Sequence, residues 1–369
     1  MTEENKVAYL MLLEQFTKNE INNQMIDEVM EKHNFNWSEL IGHMMMNRTA
    51  GLSYYLIMKS SNLKIPSEIT LSMQRVFDAQ KLRAENMKNY IKELALALDA
   101  AYIPHAFLKG AILTYSLFPL GTRASNDVDI LINSKDISRC GDVLSSLNYE
   151  IGDYDHHTKT ITKLTRYELI FRRMNWGETT PYVKITNQSM LNALPVDINF
   201  SLDWLPTSTE NAVESLLKNT IKYQLDQTAI SSLDRESFLI HLCMHLYKEC
   251  VLYEMVVFHK DTTLYKYVDI YAYIVEYPID WEHLVSKCLE FDLQKGCYFA
   301  FEYVRTLFPS LNEINEFIRA LHFLKPTDTD YLNELIDPAN PNKKYRWKED
   351  LVQRVFNYNR LENIEEVVI

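Results

Sequence analysis

Hydrophobic residues recur at intervals of three and four along most of the chain, which is the spacing of amphipathic helices. This pattern covers residues 7–48 and 66–101. It returns from Ser208 onward in a series of segments that ends with a predicted helix over residues 345–360. Between these parts the pattern changes to short apolar runs and alternation, which are typical of strands. The pattern therefore predicts a strand-containing core between two helical regions.

Five segments of this central stretch are predicted to be strands. They are residues 105–108, a strand that begins near Asp127, and residues 149–151, 167–173 and 196–202. The first strand leads into a Lys-Gly turn and a short apolar helix, and the second leads into a helix that ends near Leu147. A strand, a glycine turn, a helix and another strand thus follow one another closely.

The second predicted strand carries Asp127-Val128-Asp129. Because strand side chains alternate between faces, the two carboxylates point the same way, about 6 to 7 Å apart at the backbone. Like charges at this distance repel unless water, a basic group or a metal ion lies between them, and carboxylate oxygens suit Mg²⁺ or Mn²⁺. Short Asp-x-Asp motifs also occur by chance, so a solvated strand end is the alternative. Alternation over residues 196–202 adds a third carboxylate, Asp197, on the same face as Asn199.

Length and charge limit the classes of function. The chain has 369 residues, more than one typical domain, and its formal charge of −12 disfavours broad electrostatic capture of nucleic acid or of an anionic membrane. No stretch approaches the length of uninterrupted apolar residues that a membrane span needs, and a basic secretion-signal region is missing at the first residues. The cysteines form no Cys-x-x-Cys pair, which is typical of reduced thiols: Cys140, Cys243, Cys250, Cys288 and Cys297. We therefore expect a cytoplasmic protein without a membrane span.

These patterns predict an α+β fold in three regions. A helical N-terminal region covers residues 1–101 and ends before Pro104, which breaks the helical pattern. A core with a small mixed β-sheet covers residues 102–207. A helical C-terminal region covers residues 208–369.

The order of these elements is similar to that of the polymerase-β-like nucleotidyltransferase superfamily. In finer detail the chain resembles an uncharacterised bacterial nucleotidyltransferase family, in which Leu-Lys-Gly-Ala precedes a helix and an Arg-x-x-x-Asp-hydrophobic-Asp strand. The matching residues are Leu108-Lys109-Gly110-Ala111, Arg123, Asp127 and Asp129. Further motifs follow the family's order over about residues 30 to 310: Trp37, Val196-Asp197-Ile198-Asn199, Leu242 with His245, Val268-Asp269-Ile270 and Ile279-Asp280-Trp281.

The resemblance implies a nucleotidyltransferase core and Mg²⁺-dependent transfer of a nucleoside monophosphate from an NTP to an acceptor, with release of pyrophosphate. The catalytic and metal-binding residues that it implies are Asp127, Asp129 and Asp197. The nucleotide-binding residues that it implies are Lys109, Gly110, Arg123 and Ser125. A glycine at the turn lets the backbone approach a phosphate, and a helix start directs N–H groups at it. Lys109 and Arg123 would neutralise the triphosphate or pair with the acidic cluster in the resting protein.

Two positions depart from the usual pattern. At the turn, Lys109-Gly110-Ala111 stands where the superfamily usually has Gly-Ser or Gly-Gly, a difference that the finer family shares, and Asn199 stands where the family commonly has His. These departures motivate an alternative function, in which the protein retains the fold and binds a nucleotide or a partner without turnover. A purely helical scaffold protein is a further alternative. The acceptor stays open, and the acidic charge favours a small molecule, peptide or protein over nucleic acid.

Two histidines resemble part of a metal site. His241 and His245 lie four residues apart on one face of a predicted helix. Zinc needs three or four ligands, and no second cluster of His or Cys has matching spacing. We therefore expect these histidines to pack or form hydrogen bonds.

Overall fold

The computed structural model describes residues 1–16, 23–32, 35–59, 65–205 and 207–367. The chain divides into two compact units. The first unit combines Met1–Phe77 with Leu239–Ile369, and the second unit is the continuous segment Asp78–Phe238. In sequence, the second unit is therefore an insertion into the first.

The described ranges contain sixteen α-helices and twelve strands. The helices are α1 (Glu3–Glu14), α2 (Asn23–Lys32), α3 (Trp37–Met46), α4 (Ala50–Ile57), α5 (Ser67–Ala100), α6 (Gly110–Ser116), α7 (Ile137–Ser146), α8 (Arg166–Asn175), α9 (Glu210–Lys218), α10 (Arg235–Val251), α11 (Tyr253–Val257), α12 (Leu264–Glu276), α13 (Trp281–Glu290), α14 (Gln294–Leu307), α15 (Asn315–Leu324) and α16 (Leu351–Phe356). The strands are β1 (His105–Phe107), β2 (Val128–Ile132), β3 (Glu150–Ile151), β4 (Asp153–Asp155), β5 (Thr160–Thr162), β6 (Tyr182–Gln188), β7 (Leu191–Asn199), β8 (Thr220–Leu225), β9 (Thr228–Leu233), β10 (Glu334–Ile336), β11 (Lys344–Trp347) and β12 (Ile364–Val367).

The first unit is mainly helical and includes a three-stranded sheet of order β10-β11-β12. Arg360 lies next to Asp261 in its interior, with Nη1 2.5 Å from Oδ1, and both side chains are buried. A buried charge needs such a partner because removal from water is costly.

The five cysteines of the chain are free and buried. Across the described ranges, every helix is too short or too polar to cross a membrane.

The second unit contains a seven-stranded mixed sheet of order β3-β6-β7-β2-β1-β9-β8. Strand β2 pairs antiparallel with β1 and parallel with β7. All five residues of β2 are buried, as expected for a strand that is covered on both faces. Helices combined with a mixed sheet confirm the predicted fold class. The sheet brings β1, β2 and β7, which carry or adjoin the candidate site residues, side by side.

The compact unit that holds this sheet extends beyond residues 102–207 at both ends. It includes much of α5 before the sheet, and β8 and β9 after it. Strand β9 pairs in parallel with β1 through Ser232 and Phe107, and the Ser232 hydroxyl donates a hydrogen bond of 2.8 Å to the Phe107 carbonyl. Because this hydroxyl is satisfied inside the sheet, a serine-rich strand can be buried although its sequence shows no apolar run.

Two individually predicted elements differ in type from the structure, and the region 208–369, predicted to be helical, also contains strands β8 to β12. The strand predicted over residues 167–173 is wrong, because this segment lies in α8. Thr165 and Glu168 form a reciprocal capping box that starts the helix. The single helix predicted over residues 345–360 is also wrong, because β11 pairs with β10 and β12 and only the short α16 follows. Long-range strand pairing, which local periodicity does not report, decides this segment.

Candidate functional site

Three carboxylates meet where β2 and β7 run side by side. The parallel register makes Asp129 and Asp197 direct neighbours on adjacent strands. Asp127 lies one residue before β2, and its charge acts on Asp197. Asp129 is buried, whereas Asp127 and Asp197 are half-buried. Strand pairing therefore adds a third acid to the Asp-x-Asp motif and concentrates negative charge at one point of the sheet.

This concentration of charge alters the acidity of Asp197. Burial contributes most and raises the pKa of its carboxyl well above the ordinary value, because the charged form loses its hydration. The charges of Asp127, Asp129 and Glu178 raise the pKa further, and the ammonium of Lys109 opposes them. Asp197 therefore holds its proton to higher pH than an ordinary aspartate does.

Glu178 is a fourth carboxylate beside the site, and the sequence did not reveal it. It lies in an isolated antiparallel bridge with Asn199 and is half-buried. The hairpin of β6 and β7 separates these two residues along the chain. No motif surrounds Glu178, so only the folded sheet brings it to the acids.

Lys109 is joined to the acidic cluster by an ion pair. Its Nζ lies 2.7 Å from Asp129 Oδ1, and the Asn199 side-chain amide donates a hydrogen bond of 3.3 Å to the same oxygen. The Lys109 backbone has φ 43° and ψ −118°, a conformation that glycine adopts readily and that costs other residues about 1–3 kcal/mol. Of the two roles predicted for Lys109, the ion pair with the acids is present in this structure.

Gly110 is packed directly against the loop that precedes β2. A Cβ at this position would overlap the Ser125 hydroxyl and would lie 2.8 Å from Arg123 Nη1. The Ser125 hydroxyl in turn donates a hydrogen bond of 3.4 Å to the Asp127 carbonyl. The close approach explains why this position is glycine. All seven site residues predicted from the sequence therefore belong to one connected cluster.

Arg83, on α5, anchors the same loop and was not found from the sequence. Its Nε donates a hydrogen bond of 2.8 Å to the Ser125 carbonyl, and its Nη2 donates one of 2.7 Å to the Asn126 carbonyl. Its Nη1 donates a third, of 2.9 Å, to the Met190 carbonyl before β7. One guanidinium thus ties together the segments that lead into both acidic strands. Because its partners are backbone carbonyls, no residue type elsewhere in the sequence identifies them.

We expect Arg83→Ala to loosen this loop. Loss of three charge-assisted hydrogen bonds should lower the free energy of unfolding of the second unit by about 2 kcal/mol. Hydrogen exchange of the amides of residues 124–127 should accelerate by about tenfold or more. The control is Arg75→Ala, an exposed arginine on the same helix. Unchanged exchange of these amides in Arg83→Ala would show that the guanidinium does not hold the loop.

The donor chemistry of the cluster fits a hard divalent cation. Asp127, Asp129 and Asp197 supply carboxylate oxygens, which Mg²⁺ and Mn²⁺ prefer. Over the ranges that the structure describes, no three His, Cys, Asp or Glu side chains are gathered tightly enough to bind a metal ion as they stand. Asp129 is instead engaged by Lys109.

The two histidines of α10 lie in the first unit. Their rings stack with centroids 6.4 Å apart and planes inclined by 12°. His245 Nε2 lies 3.3 Å from Glu249 Oε2, one helical turn further along. The described residues form no three-ligand zinc set at this place. The arrangement fits the packing and hydrogen-bonding interpretation.

Comparisons with known proteins give one family and one solved structure. A protein-family model described as "Uncharacterised nucleotidyltransferase" matches residues 33–309, a range that includes the Lys-Gly turn and all three acids. The chain is also similar to the crystal structure of an antigenic nucleotidyltransferase-like protein from Paracoccidioides brasiliensis, with 14% identity and a TM-score of 0.35. That similarity covers 58% of this chain and 94% of the other. No curated protein matches the chain.

Proposed function

Because the chain belongs to the uncharacterised nucleotidyltransferase family, we propose that it transfers a nucleoside monophosphate from an NTP such as ATP to an acceptor and releases pyrophosphate. The observation that carries this proposal is the parallel register of Asp129 and Asp197, with Asp127 one residue before β2. Such a transfer builds negative charge on the transferred phosphate and on the leaving pyrophosphate. The site must therefore supply positive charge and a group that takes the proton of the acceptor.

The acids are proposed to hold Mg²⁺ or Mn²⁺ through Asp127, Asp129 and Asp197. When bound, such an ion acts as a Lewis acid that stabilises charge on the phosphate oxygens. Arg83 keeps the segments before β2 and β7 in place through their carbonyls. The segments that lead into the acidic strands are therefore held in place before any substrate arrives, which lowers the cost of organising the site.

Asp197 is proposed to accept the proton of the acceptor hydroxyl. A general base works best when its pKa lies near the working pH. In the metal-free protein, burial and the neighbouring acids raise the pKa of Asp197 above its ordinary value. The proton leaves the acceptor oxygen and is held on the Asp197 carboxylate while the new phosphate ester forms.

The Lys-Gly turn and the loop before β2 are proposed to receive the triphosphate. Gly110 allows close approach of the backbone, and Ser125 provides a hydroxyl donor beside it. Arg123 is buried, which reduces solvent screening of its charge, and its planar guanidinium suits two phosphate oxygens at once. Lys109 adds a compact point charge.

The acceptor is proposed to be a small molecule, a peptide or a protein. The formal charge of −12 disfavours the broad phosphate contacts by which proteins hold nucleic acids. Five free buried thiols support a cytoplasmic site of action.

A second candidate function is nucleotide binding without turnover. It is favoured by the ion pair of Lys109 with Asp129, which engages an acid that transfer would need, and by Asn199 beside it. In this case the site would bind Mg-nucleotide, and the protein would act as a sensor or partner-binding module.

Pyrophosphate release separates the two candidates. The full chain is incubated with each of the four α-labelled NTPs, with Mg²⁺ or Mn²⁺, and with pooled metabolites, peptides and cell proteins as acceptors. Transfer of label with equal release of pyrophosphate, both abolished by chelation of the metal, is the expected result. If calorimetry detects Mg-nucleotide binding but no acceptor yields label or pyrophosphate, the second candidate holds and the transferase proposal is rejected.

A further inference from the structure

The ion pair between Lys109 and Asp129 is shielded from solvent. Its side chains are only 13% and 5% exposed, and Nζ lies 2.7 Å from Oδ1. A carboxylate removed from water needs compensation by a positive charge or by hydrogen-bond donors. Here the ammonium and the Asn199 amide both reach the same carboxylate oxygen. The charge of Asp129 is therefore already balanced within the chain.

The backbone of Lys109 is held in a strained conformation. Its φ of 43° with ψ of −118° lies in a region that glycine occupies without cost, and the next residue is itself a glycine. A lysine at this point of the turn is unfavourable for the backbone, so its presence indicates that the side chain has a use. The conformation also fixes the direction in which the side chain leaves the turn. It leads to Asp129.

The ammonium of Lys109 contacts an acid that the divalent ion is proposed to use. Asp129 is one of the three acids proposed to hold the divalent ion, and Asp197 is its neighbour across the sheet. A lysine ammonium and a divalent cation bind the same carboxylate oxygens, and like charges at this distance repel strongly. The Lys109 ammonium and a divalent cation therefore cannot both bind Asp129 tightly.

We propose that Lys109 is a built-in counter-cation that must be exchanged for the divalent ion before the site is complete. This inference rests on the proposed function. In the resting protein the ammonium neutralises Asp129. When Mg-nucleotide enters, the ammonium moves to the triphosphate oxygens at the neighbouring Gly110 turn and Asp129 becomes free to take the metal. The Asn199 amide keeps its hydrogen bond and holds the carboxylate in place during the exchange.

This exchange couples metal binding to nucleotide binding. A divalent ion alone must displace the lysine without compensation, so it binds weakly. Together with a nucleotide it binds more tightly, because the displaced ammonium gains new partners. By thermodynamic linkage, the metal must raise the affinity for nucleotide by the same factor. Removal of the lysine should uncouple the two ligands.

The test is Mn²⁺ binding by the full chain, measured by electron paramagnetic resonance of free Mn²⁺ with and without a non-hydrolysable NTP analogue. We expect Lys109→Met to bind Mn²⁺ about tenfold more tightly than the wild type when nucleotide is absent. In the same variant, addition of nucleotide should leave the Mn²⁺ affinity nearly unchanged. Nucleotide itself should bind more weakly than it does to the wild type. Lys135→Met, which removes an exposed lysine of the second unit, is the matched control and should behave as the wild type.

Lys109→Gly guards against misfolding, because glycine adopts this backbone conformation without strain. Equal Mn²⁺ affinity of the wild type and both Lys109 variants, each folded by circular dichroism, would overturn the inference. Nucleotidyl transfer by the wild type in that case would leave the proposed function intact. Conversely, tighter Mn²⁺ binding by the variants without transfer by any form of the protein would reject the function while the exchange at Lys109 stands.

Discussion

Replacement of both Asp127 and Asp129 by Asn is expected to lower the rate of nucleotidyl transfer by at least about a thousandfold, because the amide oxygens cannot supply the charge that holds the divalent ion. The measurement is the initial rate of label transfer from an α-labelled NTP at saturating Mg²⁺. Mn²⁺ binding in the presence of nucleotide should be lost in parallel. The size of this effect follows from removal of two of the three acids at once.

This variant also leaves Lys109 beside a neutral residue, which lowers stability, because a largely buried ammonium loses its carboxylate partner. Addition of Lys109→Met should recover part of the stability without recovering activity. The charge-matched control is Asp99→Asn with Asp142→Asn, two exposed acids of the second unit, and it should retain transfer. Retained transfer in the Asp127/Asp129 variant would instead exclude these acids as the metal ligands of the reaction.

Asp197→Asn is expected to have opposite effects on activity and stability. Transfer should fall by about 10²- to 10⁴-fold, the range typical of a lost general base. The metal-free protein should become more stable at neutral pH, seen as a rise in Tm. The reason is that Asn fills the same space without a carboxyl whose charged form is made costly by burial and by the neighbouring acids.

The stability gained by Asp197→Asn is expected to increase with pH. The pKa of Asp197 is raised in the folded protein, so the folded state binds its proton more tightly than the unfolded state does. The carboxyl therefore lowers stability progressively as pH rises above its unfolded pKa of about 4, until the folded pKa is passed. Thermal melts with chelator should show little gain for Asp197→Asn near pH 4.5 and a gain that grows as the pH is raised from there. An exposed substitution, Asp142→Asn, is the control, and a gain that shrinks as pH rises would contradict the assignment.

The centre of the site could be predicted because its signals are local. Alternation over β2 and β7 placed each acid on a definite face, and Gly110 marked a turn between a strand and a helix. Local patterns of this kind report backbone geometry over a few residues. They also identified the family, which the match over residues 33–309 confirms.

The periphery of the site could not be predicted because it depends on long-range pairing. Arg83 acts on carbonyls, which every residue has, and Glu178 reaches the site only through its bridge to Asn199. Strand β9 is buried although it contains serines, because the Ser232 hydroxyl donates a hydrogen bond to a backbone carbonyl of the sheet. The sequence pattern of this strand therefore does not reveal its burial. For Lys109, the sequence left two roles open, because the choice depends on a backbone conformation that a lysine rarely adopts.

The insertion of one unit into the other sets the order in which they can be completed during synthesis. All residues of the second unit have been made once Phe238 is added, whereas the first unit still lacks Leu239–Ile369. Domains generally fold as units while the chain grows. The sheet with its acids can therefore form on the ribosome before Leu239–Ile369, the other part of the first unit, has been made. A nascent chain stalled after Phe238 has left the ribosome should already protect the sheet from protease.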